Sequence, residues 1–177
     1  MSAADLLTLL RVLIIFAILL TGLLAGPDGL AYTVVLLLVA WTTDYIDGPA
    51  ARLLNGKATS WLGRRDLQID MAAAVGLNIY LVTAGFLPLR YLALYLALWG
   101  LVFWRFGLVR LLAMFFQAPL YGAFVYTALI QAPQAGRWLL AWLVLAVLSP
   151  WPRFTPLWVW RELKNGLREL RGGLGRK

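Results

Sequence analysis

Four carboxylates stand close together in an otherwise apolar chain: Asp44 and Asp47, then Asp66 and Asp70, half of the 8 acidic residues in the sequence. Ionisable groups in such surroundings are costly unless something neutralises them, so they point first to a functional site. On a helix, residues three or four apart share a face, which pairs Asp44 with Asp47 and Asp66 with Asp70. The connection between the two segments is short, so their helices are expected to be antiparallel neighbours whose acidic ends meet. Four carboxylates converging at low dielectric would repel until one or more took up a proton. Two divalent cations balance that charge, and a two-metal site suits displacement at phosphorus.

The residues interleaved with the carboxylates fit the same chemistry. Gly48, Ala50 and Ala51 are small enough to let a ligand or a helix approach the backbone closely. Arg52, Lys57, Arg64 and Arg65 can meet phosphate oxygens, the arginines in bidentate fashion. Arg64 and Arg65 equally suit a role as topology determinants.

Composition removes the alternatives. The chain has 0 cysteines and 0 histidines, and its only serines are Ser2, Ser60 and Ser149. Serine–histidine and cysteine–histidine catalysis are therefore excluded, as are disulfides and zinc–thiolate sites. Acid–base or metal work falls to aspartates, whose hard oxygen ligands suit Mg²⁺, Mn²⁺ or Ca²⁺.

The elements that must position these groups read as membrane helices. Of 177 residues, 62% are hydrophobic and 14% charged, against about 45–50% and about 25% in a soluble domain. A helix needs about 20 apolar residues to cross the hydrocarbon core. A first span is predicted over residues 6–24, with Arg11 inside it, and is expected to be retained, because no basic segment with a cleavage site precedes it. Gly26-Pro27-Asp28-Gly29 reads as a tight turn. A second helix starts near Leu30 and continues through Asp44, Asp47 and Arg52 as it leaves the membrane, until Asn55-Gly56-Lys57 breaks it. A third runs from about residue 60 to 86, carrying Asp66 and Asp70 in its early turns. Residues 91–132 divide into two helices turning near residues 106–111, and Gln131 to Gly136 reads as a loop. A sixth, short apolar run covers 138–148, before Pro150 and Pro152.

The fold class predicted is thus all-α, a polytopic membrane protein of about six transmembrane helices. Residues 1–160 form one domain, and 161–177 a basic tail. Leu163, Leu167 and Leu170 share one face of that tail, which suits either a short interfacial helix or a solvated, frayed end. With six spans and both termini cytoplasmic, one side holds Arg52, Lys57, Arg64, Arg65, Arg105, Arg110 and every basic residue from Arg153 onward. The other holds only Arg90 and Arg137. This satisfies the positive-inside rule and places all four aspartates near the cytoplasmic face, flanked by Trp41 and Trp61. The net charge of +8 then reads as a topology signal and an attraction to anionic headgroups, not as nucleic-acid binding.

The spacing Asp44-x-x-Asp47-Gly48-x-x-Ala51-Arg52, followed by Asp66-x-x-x-Asp70, resembles the signature of the CDP-alcohol phosphotransferases, integral membrane enzymes of phospholipid synthesis. The opening Leu6-Leu7-Thr8-Leu9-Leu10-Arg11 is similar to the first helix of the smaller phosphatidyltransferases. The resemblance covers most of the chain and is sharp from Asp44 to Asp70. It implies that Asp44, Asp47, Asp66 and Asp70 bind two Mg²⁺ or Mn²⁺ ions, which clamp the diphosphate of CDP-diacylglycerol. Asp47, Gly48, Ala51, Arg52, Gly63 and Asp66 would lie against the nucleotide and diphosphate. Asp70 would be the general base, deprotonating an acceptor hydroxyl that attacks phosphorus and expels CMP. Arg105 and Arg110 suggest a pocket for an acceptor that itself carries phosphate, such as glycerol 3-phosphate or inositol phosphate, or else serve topology alone. One departure stands out: the second glycine of the family pattern falls on Leu62, and Gly63 sits one residue late.

The expected protein is a phosphatidyltransferase of the cytoplasmic membrane, if bacterial, with its active site facing the cytoplasm. CDP-diacylglycerol, an alcohol acceptor, membrane lipids and, by analogy with the family, a second copy of the chain are its partners. The displaced Gly63 motivates an alternative, a catalytically degenerate homologue acting as a membrane scaffold or regulatory subunit. A proton- or ion-coupled transporter would place its acids near the bilayer midplane and use paired broken helices, and neither is seen in the sequence.

Overall fold

The computed structural model describes residues 3–53 and 66–148, together with Lys164. Of the four aspartates, only Asp70 has a described side chain. Among the described residues there are six α-helices and no strand: α1 (Ala3–Leu24), α2 (Leu30–Leu53), α3 (Asp66–Thr83), α4 (Leu89–Phe106), α5 (Arg110–Gln131) and α6 (Pro133–Leu148). The all-α class predicted from composition and periodicity is the class observed. The break at Asn55-Gly56-Lys57, the start of the third helix near Ser60, the displaced Gly63, and the tail beyond Leu148 apart from Lys164 lie outside the described residues.

Local chemistry accounts for where these helices stop. Gly26–Gly29 is a single 3₁₀ turn with Pro27 near its start, and Pro27 has no N–H to leave unsatisfied there. The turn sends the chain directly back into α2, as the Gly-Pro-Asp-Gly motif predicts. At the far end of α4, Gly107 takes a φ of 78°, a left-handed conformation that L side chains resist, and its N–H closes on the Phe103 carbonyl at 2.8 Å. The reversal expected near residues 106–111 is this one. The Gln131–Gly136 segment is not the loop predicted. Pro133 opens α6, because a proline at the first helical position has its φ already set and lacks only an N–H that would be orphaned anyway. The α5–α6 link is therefore reduced to Ala132.

Successive helices run in opposite directions. Contacts fix this: α3 and α5 are parallel, with Asn78 against Leu120 and Tyr80 against Phe124. α1 and α3 are also parallel, because Arg11 and Asp70 meet near their starts while Tyr80 OH reaches Gly26 O just past the end of α1. The core is built from Ile14 and Ile18 of α1, Leu37 of α2, Leu77 of α3, Phe124 of α5 and Leu139 of α6, all buried. A second cluster of Ala74, Leu92, Phe116 and Leu120 joins α3, α4 and α5. Small residues let these helices close: a Cβ on Gly136 would fall 2.7 Å from the Leu129 Cα, so α6 rides on the backbone of α5.

The outer surface carries many large apolar side chains. Leu23, Leu24, Leu94, Leu98, Leu101, Trp104, Val144 and Leu145 are all more than half exposed. Soluble monomers rarely expose contiguous apolar patches of this kind. Two helices, Leu89–Phe106 and Arg110–Gln131, are long and apolar enough to cross a membrane, with mean hydropathies of 1.2 and 1.4. Thr8–Leu24 and Leu67–Thr83 are shorter apolar stretches of the same kind.

Candidate functional site

The up-and-down order brings the end of α2 and the start of α3 to the same end of the bundle. Asp44 and Asp47 therefore lie in the last turns of α2, with Gly48, Ala51 and Arg52 following them. Asp66 opens α3, and Asp70 is one turn further on. α2 and α3 run antiparallel as expected, but among the described residues they do not pack closely on one another as the expected neighbours would. α1 packs against both of them, and α2 and α3 form opposite walls of a cavity of about 140 Å³ that α1 and α5 complete.

Asp70 is on the wall of that cavity. Its Oδ1 lies 3.1 Å from Nη1 of Arg11, in an ion pair between residues 59 apart in sequence. The Arg11 side chain is 6% exposed and that of Asp70 31% exposed, so the arginine is sunk in the bundle while the carboxylate stays accessible from the cavity. A guanidinium has no neutral form to retreat to, so a buried arginine requires a fixed acceptor. Asp70 is one such acceptor, and the pair ties α1 to α3 at this level. The backbone of the same residue is also held: Tyr121 OH donates to the Asp70 carbonyl at 3.3 Å.

The remaining polar lining is sparse. Gln117 and Tyr121 face the cavity from α5, and Trp41 from α2, beneath a mostly aliphatic ceiling that includes Ile14, Ile18 and Leu77. Trp41 meets Tyr121 edge-on, with ring centroids 5.5 Å apart, and Trp142 of α6 at 5.2 Å. Trp142 also donates its indole N–H to Thr42 Oγ1 at 3.0 Å. An aromatic partition thus ties α2, α5 and α6 together beside the cavity, three positions before Asp44 in the chain. At about 140 Å³ the cavity is smaller than the roughly 300–1,000 Å³ of most small-molecule pockets, though it shares their mostly apolar lining with a few convergent polar groups.

Among the residues that line the cavity Asp70 is the one carboxylate, a hard oxygen ligand in kind, and the Arg11 guanidinium already sits on it. Among the described residues no three His, Cys, Asp or Glu side chains stand together, and the carboxylates of Asp44, Asp47 and Asp66 are outside that set. Arg105 and Arg110 sit where α4 ends and α5 begins, at the same end of the bundle as Asp66. Both are exposed, the Arg105 guanidinium lies 5.3 Å over the Phe106 ring, and neither lines the cavity.

Arg11, Gln117 and Tyr121 carry the cavity's polarity with Asp70, and sequence reasoning assigned them no role at the site. One signal was available for Arg11: a lone cation inside the first apolar helix needs a counter-charge from another helix. Gln117 and Tyr121 gave no comparable sign, since a glutamine or tyrosine in an apolar helix has many uses. No family model, curated protein or solved structure matches the chain.

Proposed function

We propose that this chain is a membrane-embedded, metal-dependent phosphotransferase of the CDP-alcohol type, moving a phosphatidyl group from CDP-diacylglycerol to an alcohol and releasing CMP. The observation that carries the reading is the Asp70 carboxylate of early α3, held on the wall of a cavity that α2 also lines, with the end of α2 brought by the chain order to the same end of the bundle. The spacing of Asp44, Asp47, Gly48, Ala51, Arg52, Asp66 and Asp70 supplies the family resemblance. All six helices would span the bilayer, with the aspartates at the cytoplasmic interface, where a soluble nucleotide product can leave.

In this reading Asp44, Asp47, Asp66 and Asp70 hold two Mg²⁺ or Mn²⁺ ions. When bound, the ions supply charge neutralisation for the diphosphate. Arg52 adds charge on the same side, and Gly48 and Ala51 leave room for the nucleotide. Asp70 takes the proton of the acceptor hydroxyl as the new P–O bond forms and the bond to CMP breaks, so the nucleophile comes from the substrate and no histidine or cysteine is needed. The aliphatic cavity ceiling keeps water, a competing acceptor, away from the reacting phosphorus. Arg105 and Arg110 would act at the rim on an acceptor carrying phosphate.

The test is an acceptor screen with the purified chain, CDP-diacylglycerol and Mg²⁺, in which CMP and the lipid product are measured for a panel of alcohols. CMP release that depends on one acceptor supports the reading. The absence of both CDP-diacylglycerol binding and turnover with every acceptor sinks it. A second reading, a degenerate homologue serving as a scaffold, is favoured by the one-residue displacement of Gly63 and by the arginine already placed on the proposed base. The same screen separates the two.

A further inference from the structure

Asn78 of α3 is 1% exposed, and its side chain is only half accounted for. Its amide nitrogen faces two carbonyl oxygens, those of Ala74 at 2.9 Å and Leu120 at 3.0 Å. Only the NH₂ group suits that position, so the partners fix which way the amide points. The amide oxygen accepts no hydrogen bond from any described residue. Asn78 lines a groove of about 150 Å³ between α3, α4 and α5, whose other walls include Leu87, Leu92, Pro119 and Ala123. Two tyrosines also line it, and neither supplies the missing donor. Tyr95 OH donates to the Phe116 carbonyl at 2.7 Å, and Tyr91 OH accepts from Arg90 Nη2 at 3.4 Å.

We infer that this groove receives the head of an uncharged, hydroxyl-bearing lipid, whose O–H donates to Asn78 Oδ1 and whose chain lies along α4 and α5. The inference needs the bundle to stand in a bilayer and is independent of the reaction proposed for its acidic end. α4 and α5 are the two helices long and apolar enough to cross a membrane, and Leu94 and Leu98 of α4 are more than half exposed beside the groove's helix. Where water is scarce, an amide oxygen without a donor is costly, so a ligand that brings one is favoured. A residue needed only to pin α3 to α5 would do so with its NH₂ group alone. Charge selects the kind of donor. The Arg90 guanidinium lies 5.0 Å over the ring of the groove-lining Tyr91, so an ammonium headgroup would be repelled there. A phosphate or carboxylate brings no proton to the amide oxygen and is repelled by it. An uncharged hydroxyl meets both conditions. The groove's size fits a hydroxyl and the first carbons of a chain, leaving the rest of the chain on the apolar outer faces.

The test places the full chain in nanodiscs of phosphatidylcholine, a lipid without a hydrogen-bond donor, and adds a long-chain alcohol with a diazirine on the carbons next to its hydroxyl. After irradiation the labelled residues are mapped by mass spectrometry. Label is expected to concentrate on residues 87–95 and 119–123. Oleyl alcohol is expected to displace it at about fivefold lower concentration than oleyl methyl ether, which has the same chain and no donor. Asn78→Leu, close in volume and without an acceptor, is expected to erase that preference. Ala123→Phe fills the groove from its α5 wall and keeps Asn78; it is expected to cut labelling of both segments about fivefold or more, and it decides the matter if Asn78→Leu does not fold. Label spread evenly over the outward faces of all the helices is ordinary solvation by lipid and overturns the inference. So does equal displacement by alcohol and ether, or a labelling pattern that neither variant changes. A groove that takes up no label holds water at most, and that result overturns it too.

Discussion

Asn78 of α3 donates its amide to the Leu120 carbonyl of α5 at 3.0 Å, across 42 residues, and to the Ala74 carbonyl within its own helix at 2.9 Å. Leu120 follows Pro119, which has no N–H, so the carbonyl that loses its helical donor is that of Phe115, one turn back. Tyr95 OH donates to the adjacent Phe116 carbonyl at 2.7 Å. Side chains from α3 and α4 thus support the proline site of α5. Inter-helix hydrogen bonds in membranes contribute about 0.6–2 kcal/mol each. Asn78→Ala, which also leaves a small void, is expected to cost about 1–3 kcal/mol. Equilibrium unfolding in mixed micelles measures it, and wild-type stability in that variant would remove Asn78 as the α3–α5 pin.

A second prediction concerns the closest helix crossing. A Cβ on Gly136 would fall 2.7 Å from the Leu129 Cα and 2.8 Å from the carbonyl carbon and oxygen of Ala128, all of them backbone atoms that cannot swing aside. Gly136→Ala must therefore push α6 away from α5, and is expected to cost about 1–3 kcal/mol. Gly100, exposed on α4, has nothing within 4 Å of its would-be Cβ, so Gly100→Ala is expected to be neutral or to stabilise by up to about 1 kcal/mol. Melting temperatures of the two variants should move in opposite directions or differ clearly. Equal loss in both would mean that helix propensity and not close approach governs these glycines.

Asp70 provides the sharpest functional prediction. Asp70→Asn keeps the shape and a carbonyl oxygen facing Arg11 but removes the proton acceptor and a metal ligand. CMP release with CDP-diacylglycerol and the best acceptor is expected to fall by at least about 10²-fold. EDTA should likewise stop the wild-type reaction, and added Mg²⁺ or Mn²⁺ should restore it. An Asp70→Asn protein that is folded, by its elution volume and melting curve, and fully active would leave the base assignment without support.

The helices were legible in the sequence because their signals are local. Apolar runs, the Gly-Pro-Asp-Gly turn and the polar interruption around residues 105–111 each act within a few residues, and the structure follows them. Pro133 misled because the same residue that breaks a helix can begin one, and the choice depends on whether the apolar run after it resumes. The site was legible to the extent that spacing along one helix controls it: Asp44 with Asp47, and Asp66 with Asp70. What the sequence does not carry is which helix packs against both α2 and α3. That α1 lies against both, and delivers Arg11 to Asp70, is a consequence of three-dimensional packing among several equally apolar faces. A cation at position 11 announced the need for a counter-charge but not that Asp70 would supply one.

Arg105 and Arg110 are separated from the cavity lining, and that position fixes how they can act. Exposed charges at a rim guide a charged ligand toward a site, and salt screens them, with a Debye length of about 10 Å at 0.1 M and about 3 Å at 1 M. Replacing either with glutamine should therefore raise the KM for a phosphorylated acceptor about two- to fivefold at low ionic strength, and the effect should shrink as salt is added. An uncharged acceptor should be almost indifferent to the change. Acceptor titrations at two ionic strengths separate the cases. A salt-independent loss in the Arg105 variant would move that residue from the rim into direct contact with the acceptor.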